Sequence, residues 1–139
     1  MTVTAEQRRR GEMLGALVEG LKGKPCTYGV DDCSMLPAQW VADVTGREID
    51  WPAYASREEA ERMIDAAGGL VNVWLPVVRS LGLVERFDVP EIGDIGIIET
   101  SQGHVGGIWL HARTFIWRAE MGVRVLGVRP HRIVKVWQV

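Results

Sequence analysis

Gly29-Val30-Asp31-Asp32-Cys33-Ser34-Met35-Leu36 places a cysteine where a glycine-containing turn leads into a predicted helix. The unpaired backbone N–H groups and the positive end of the macrodipole at a helix start favour a thiolate over a thiol. Gly103-His104-Val105-Gly106 follows and supplies a histidine, the usual partner of a nucleophilic cysteine. We therefore predict a catalytic pair in which Cys33, with a lowered pKa, attacks a carbonyl carbon and His104 moves the proton.

Length and charge limit the classes of protein to which the chain can belong. Its 139 residues are enough for one core, so we predict a single domain over residues 1–139. The formal net charge of −2 argues against a nucleic-acid partner, because phosphate binding needs clustered positive charge. No apolar window approaches the ~20 residues of a membrane span, so no membrane partner is expected. The first residues lack the apolar stretch of a signal peptide, and we expect synthesis in the cytoplasm.

The two halves of the chain differ in the period of their apolar residues. Helical periodicity and capping residues predict four helices, one from Thr4 to about Leu21 and the others at about Cys33–Val44, Ser56–Ala67 and Leu70–Leu81. Short runs rich in β-branched and aromatic residues predict five strands, at Ile95–Ile98, Val105–Leu110, Thr114–Trp117, Val123–Val128 and Ile133–Val139. Helices followed by an antiparallel sheet constitute an α+β fold.

Three short motifs follow one another in the order Asp32-Cys33-Ser34-Met35, Gly93-Asp94-Ile95 and His104-Val105-Gly106-Gly107-Ile108-Trp109. They resemble the nucleophile motif, the start of the central strand and the histidine strand of the NlpC/p60 family of cell-wall cysteine peptidases. The resemblance spans roughly residues 26–117 and is greatest to the short stand-alone versions encoded in phage tail gene clusters. It implies a papain-like fold.

The resemblance also implies a function, a cysteine peptidase or amidase that cuts the stem peptides of peptidoglycan. Cys33 would be the nucleophile and, through its backbone N–H, an oxyanion donor, while His104 would be the base and acid. Tyr28, Asp32 and Trp109 would line the substrate groove. The family's chemistry needs no cofactor and no metal ion. The partners would be the stem peptide and the tail hub or distal tail proteins, and the location would be the virion.

The strand after His104 lacks the polar residue that orients the histidine in that family. Thr114-Phe115-Ile116-Trp117-Arg118 stands there, and Arg118 is a donor that cannot accept the imidazole N–H. A hairpin that turns near Ala112 would bring Glu120 opposite His104, so Glu120 is the candidate orienting residue. Two alternatives stay open, a catalytically inactive structural module of a phage tail with the same fold and a papain-like transferase or deamidase that acts on a protein.

The cysteines and histidines allow a metal or a disulfide as rival interpretations. Zinc binding by Cys26, Cys33, His104 and His111 is disfavoured, because six residues separate the cysteines where zinc sites usually have two to four. A Cys26–Cys33 bridge would block the nucleophile, and reducing cytosol favours two free thiols instead.

Tryptophans and paired glycines near the motifs carry the remaining predictions. Trp40, Trp74 and Trp109 are of the size and type that fill cores, whereas Trp51, in a Pro-containing loop, is predicted to be exposed. Gly106-Gly107 predicts either a bulge or the close approach of a substrate to the backbone.

Overall fold

The computed structural model describes residues 3–139, which form an α+β fold of four helices and a five-stranded antiparallel sheet. The elements, in chain order, are α1 (Ala5–Leu21), α2 (Met35–Thr45), α3 (Arg57–Ala67), α4 (Leu70–Ser80), β1 (Ile95–Thr100), β2 (Gly103–His111), β3 (Thr114–Arg118), β4 (Val123–Gly127), the 3-10 turn η1 (Pro130–Arg132) and β5 (Ile133–Trp137). The predicted α+β class, with helices followed by five antiparallel strands, is confirmed. Residues 1 and 2 of the predicted domain lie outside the described residues.

Local side-chain caps begin two of the helices where the sequence predicts them. The Thr4 hydroxyl accepts a hydrogen bond from the Gln7 N–H at 3.1 Å, and the Gln7 side chain accepts one from the Thr4 N–H at 2.9 Å. At the start of α3, the Ser56 hydroxyl accepts from the Glu59 N–H at 3.1 Å. Each cap satisfies N–H groups that have no partner within the helix.

Helix α2 begins at Met35 and not at the predicted Cys33. The N–H of Leu36 donates to the Asp32 carbonyl at 2.8 Å, and that of Ala38 donates to the Ser34 carbonyl at 3.2 Å. Between them stands Pro37, which has no N–H to offer the Cys33 carbonyl. Regular helix therefore begins two residues later, and Cys33 belongs to the turn before it.

The sheet has the strand order β4-β3-β2-β1-β5, so β2 is its middle strand. Alternate residues point to opposite faces. Ile97, Ile108 and Ile116 pack with residues of the helices, which defines the helix-facing side. Trp109 and Phe115 belong to a smaller core on the far side. Residues 103–109 of β2 are thereby assigned to one side or the other, and the register with β3 shifts after Trp109.

The tryptophans tie the helices to the sheet. Trp40 and Trp74 are buried as predicted, and their indole N–H groups donate to the Gly93 carbonyl at 2.7 Å and to the Ser34 hydroxyl at 3.0 Å. Trp51 is half-buried and packs edge-on against Trp74, with ring centroids 5.9 Å apart, so its predicted exposure is wrong.

Within residues 3–139, no helix combines the length and the apolar character needed to cross a bilayer.

Candidate functional site

Cys33 lies against the middle strand of the sheet, where only a glycine leaves room for it. A Cβ built on Gly106 would clash with the ring of Trp74 and would lie 2.9 Å from the Cys33 carbonyl oxygen. β2 pairs with β1 in unbroken register through Gly106 and Gly107, so the glycine pair is not a bulge. The groups that lie close to the Gly106 backbone are the Trp74 ring and the turn that contains Cys33.

The environment of the Cys33 thiol is opposite to the predicted one. Burial raises the pKa of Cys33 to about 11, and the hydrogen bond from the Gly106 N–H, which favours the thiolate, offsets only part of that rise. The prediction of a lowered pKa is therefore wrong. The physical reason is desolvation, together with a regular helix that begins only at Met35.

His104 is placed on the correct side of the sheet for Cys33 but is not joined to it. His104 and Gly106 are two residues apart on β2, so they share the helix-facing side against which Cys33 lies. The His104 side chain is exposed, and among residues 3–139 it makes no hydrogen bond with Cys33 or with any other group. The fold thus brings the predicted pair to one face without assembling a dyad.

The Asp32 carboxylate is occupied by structural hydrogen bonds. Asp32 is only 3% exposed, and its oxygens accept from four donors: the N–H groups of Gly29 at 2.7 Å, Ser34 at 2.9 Å and Met35 at 3.1 Å, and the hydroxyl of Tyr54 at 2.7 Å. Asp32 therefore fixes the turn that presents Cys33 and caps α2. Its predicted place in a substrate groove is wrong, because no part of the carboxylate is free.

Tyr54 is the residue of this site that the sequence did not reveal. Its hydroxyl donates to both oxygens of Asp32, which is 22 residues away. Burial raises the pKa of Tyr54, and the hydrogen bond to the Asp32 carboxylate raises it further, so the phenol stays protonated. No sequence rule predicts a contact between two loops at that separation. The one sequence feature related to it is Gly29, which has a left-handed conformation and whose backbone lies against the Tyr54 carbonyl.

Glu120 does not orient His104. β3 ends at Arg118, and the Glu120 carbonyl accepts from the Cys26 N–H at 2.7 Å. The Glu120 side chain is exposed and makes no hydrogen bond to His104 among the described residues. The acid that the sheet pairs with His104 is Glu99, directly opposite on β1 and so on the same face. No hydrogen bond between Glu99 and His104 is present in that part of the chain either.

Arg118 lies on β3, the strand on which the resemblance places the residue that orients the histidine, but its function is structural. Its side chain is fully buried. Its guanidinium donates to five groups, namely the carbonyls of Ala119 (3.1 Å), Gly122 (2.7 Å), Lys24 (3.0 Å) and Pro25 (3.0 Å) and the carboxylate of Asp31 (3.3 Å). The arginine therefore ties the segment before Cys33 to the β3–β4 turn.

Comparison with known families places the chain in one of them. Residues 7–139 match the family described as Domain of unknown function (DUF6950). The chain belongs to the DUF6950 family. The DUF6950 match covers all three sequence motifs. The curated proteins include no match to this sequence. Because the DUF6950 description states no activity, the chemistry must be argued from the geometry.

The other predicted groove residues of this DUF6950 chain, Trp109 and Tyr28, differ in their burial. Trp109 is fully buried on the far side, 4.8 Å from the Phe115 ring, so the prediction that it lines a groove is wrong and its placement in a core is confirmed. Tyr28 is half-buried, and burial raises its pKa.

Cys26 and Cys33 are both free thiols, as predicted. No group of three or more His, Cys, Asp and Glu residues within 3–139 is placed to hold a metal ion.

The motif Gly93-Asp94 is structural in this DUF6950 chain. Asp94 is buried and accepts from the Arg86 guanidinium at 2.6 Å and from the Glu91 N–H at 2.9 Å. Burial raises the pKa of Asp94, while the hydrogen bond from Arg86 opposes that rise. This ion pair fastens the segment that leads into β1, and it lies outside the surroundings of Cys33.

Proposed function

We propose that this DUF6950 chain is a papain-like domain of the NlpC/p60 type that serves as a catalytically inactive structural module of a phage tail. The papain-like assignment is supported by helices that precede an antiparallel sheet and by a cysteine before α2 that lies against the strand carrying the histidine. The observation that carries the inactivity is the state of Cys33, a thiol with a pKa of about 11 and no bond to His104 within the described residues.

The magnitude of that pKa determines the chemistry available at neutral pH. A thiol with a pKa of about 11 is almost entirely protonated at pH 7, whereas a thiol at the usual ~8.5 is already partly ionised. The nucleophilic thiolate is therefore scarce at neutral pH. Among the described residues, His104 has no acceptor to fix its tautomer, and loss of that third group costs about 10⁴ in a serine protease.

The placement in a phage tail is supported by the sequence motifs, which resemble the short tail-encoded versions of the NlpC/p60 family. The proposed partners are the tail hub or distal tail proteins, and the proposed location is the virion. Asp32, Tyr54 and Arg118 all serve to hold the turn around Cys33, which suits a domain whose function is to keep its shape.

The second candidate is a cysteine peptidase or amidase that acts on peptidoglycan stem peptides. It is favoured by the placement of Cys33 and His104 on one side of the sheet and by the Cys33 N–H, a potential oxyanion donor that donates to no oxygen among the described residues. In this case substrate binding would have to turn the His104 ring toward the thiol, since catalytic hydrogen bonds often tighten only in the complex.

Digestion of purified peptidoglycan separates the two candidates. We expect the wild-type protein to release no more stem-peptide fragments than the Cys33→Ser variant, measured by chromatography and mass spectrometry, while a known NlpC/p60 peptidase in parallel releases them. The reason is the scarcity of thiolate and the unoriented histidine. Release by the wild type that Cys33→Ser and His104→Ala both abolish would establish the peptidase and contradict the inactive module.

A further inference from the structure

A groove of about 320 Å³ lies over the smaller core, between the end of β1 and the segment that joins β4 to β5. Its floor is apolar and includes Ile98 and Val128, which are buried in the smaller core, and the half-buried Leu126. The Val128 N–H donates to the Arg113 carbonyl at 2.8 Å, so one wall is fastened to the sheet. This volume is at the lower end of the range of ligand sites, about 300–1,000 Å³.

The rim of the groove is basic and its cationic groups have no partners. Arg129, His131 and Arg132 line it, and all three are exposed. Within residues 3–139, none of these side chains makes a hydrogen bond or an ion pair. The buried Arg118, in contrast, donates to five groups.

The backbone holds the two rim arginines at a fixed spacing. Pro130 begins η1, where its ring restricts the backbone, and the Arg132 N–H donates to the Arg129 carbonyl at 2.9 Å. A guanidinium offers a planar fork of donors that matches a carboxylate. Glu99 also lines the groove. The positive charges of the two arginines outnumber this one negative charge, even when His131 is neutral.

We propose that this groove binds an acidic peptide segment of a partner protein, with a carboxylate on Arg129 and Arg132 and a neighbouring aliphatic side chain on the floor. The charge of the rim selects the carboxylate. The apolar floor selects a peptide over a small inorganic anion, because phosphate has no apolar part to contact the half-buried Leu126. The inference does not involve Cys33, and it stands apart from the proposed function.

Titration followed by ¹⁵N–¹H NMR of the full chain tests the inference. The probe is a short blocked peptide that alternates glutamate and leucine. We expect it to shift the backbone amides of residues 126–129, with an affinity that falls as salt is raised. In the Arg129→Gln/Arg132→Gln double variant the Kd should rise at least about tenfold, since charge-assisted hydrogen bonds are lost. Arg62→Gln, a matched change of an exposed arginine on α3, should leave the Kd unchanged.

Two comparisons on the wild-type protein test the ligand class and do not depend on the folding of a variant. A peptide with serine in place of leucine should bind several-fold more weakly, and inorganic phosphate at the same concentration should not displace the leucine peptide. The inference is overturned if the double variant binds like the wild type. Equal binding of the serine peptide or full displacement by phosphate would also overturn it.

Discussion

The substitution Gly29→Ala is expected to lower the free energy of unfolding by about 3 kcal/mol. Gly29 has φ +81°, a left-handed conformation that costs an L-residue about 1–2 kcal/mol. A Cβ there would also clash with the Tyr54 carbonyl oxygen, and overpacking adds about 1–3 kcal/mol. Because the clash pushes the Tyr54 loop away, the hydrogen bond from the Tyr54 hydroxyl to Asp32 should be lost as well. Urea denaturation followed by circular dichroism measures the change.

Gly23→Ala is the matched control for that substitution. Gly23 also has a left-handed conformation, with φ +71°, but no atom lies within 4 Å of a Cβ built there. It should therefore show only the conformational cost, about 1 kcal/mol. Equal destabilisation by the two substitutions would mean that the approach of the Tyr54 loop to Gly29 does not occur in solution.

Arg118→Met should be comparably severe, with a loss of about 3–5 kcal/mol of unfolding free energy. Methionine fills a similar volume but donates no hydrogen bond, so four carbonyls and the Asp31 carboxylate would lose a buried partner. Differential scanning calorimetry of the variant, with urea titration at 25 °C, measures the loss. The cysteine turn should loosen as a result, since this arginine adds to the backbone hydrogen bonds from Cys26 to Glu120 and from Gly122 to Lys24 that tie residues 24–31 to the β3–β4 turn.

Arg124→Met on β4 provides the comparison for Arg118→Met. Arg124 is exposed, so its replacement should change the free energy of unfolding by less than about 0.5 kcal/mol. Arg118→Lys keeps the charge but cannot reach all five acceptors, and it should give an intermediate loss. If Arg118→Met were as mild as Arg124→Met, the buried network would not hold the turn.

The features that were predictable from the sequence are those determined by neighbours along the chain. The caps of α1 and α3 use side chains three residues away, at Thr4 and Ser56, and both were predicted. The β-branched runs predicted all five strands in the same way. The apolar periodicity predicted that α2 begins at about Cys33, while Pro37 implied an irregular first turn or a later start, and the later start at Met35 is the one found.

The site itself depends on contacts between distant parts of the chain. The pKa of Cys33 is set by burial against β2, far along the sequence, and no local rule gives that desolvation. Asp32 was predicted to line the groove, whereas the hydrogen bond from the Tyr54 hydroxyl, from a distant loop, shows that it belongs to the framework. The pairing of Glu99 with His104 depends on the register of β1 on β2, whereas the orienting residue was predicted only beyond the strand that follows His104.

The pH profile of Cys33 alkylation tests the central claim, that Cys33 and His104 are not an assembled dyad, most directly. A Cys26→Ser background leaves one thiol, and iodoacetamide reacts with its thiolate. Below the pKa the rate should rise about tenfold for each pH unit, with an apparent pKa of about 11 and the same profile in Cys26→Ser/His104→Ala. Fast alkylation at neutral pH, with a plateau below pH 8.5 that His104→Ala removes, would contradict the account and show a working thiolate–imidazolium pair.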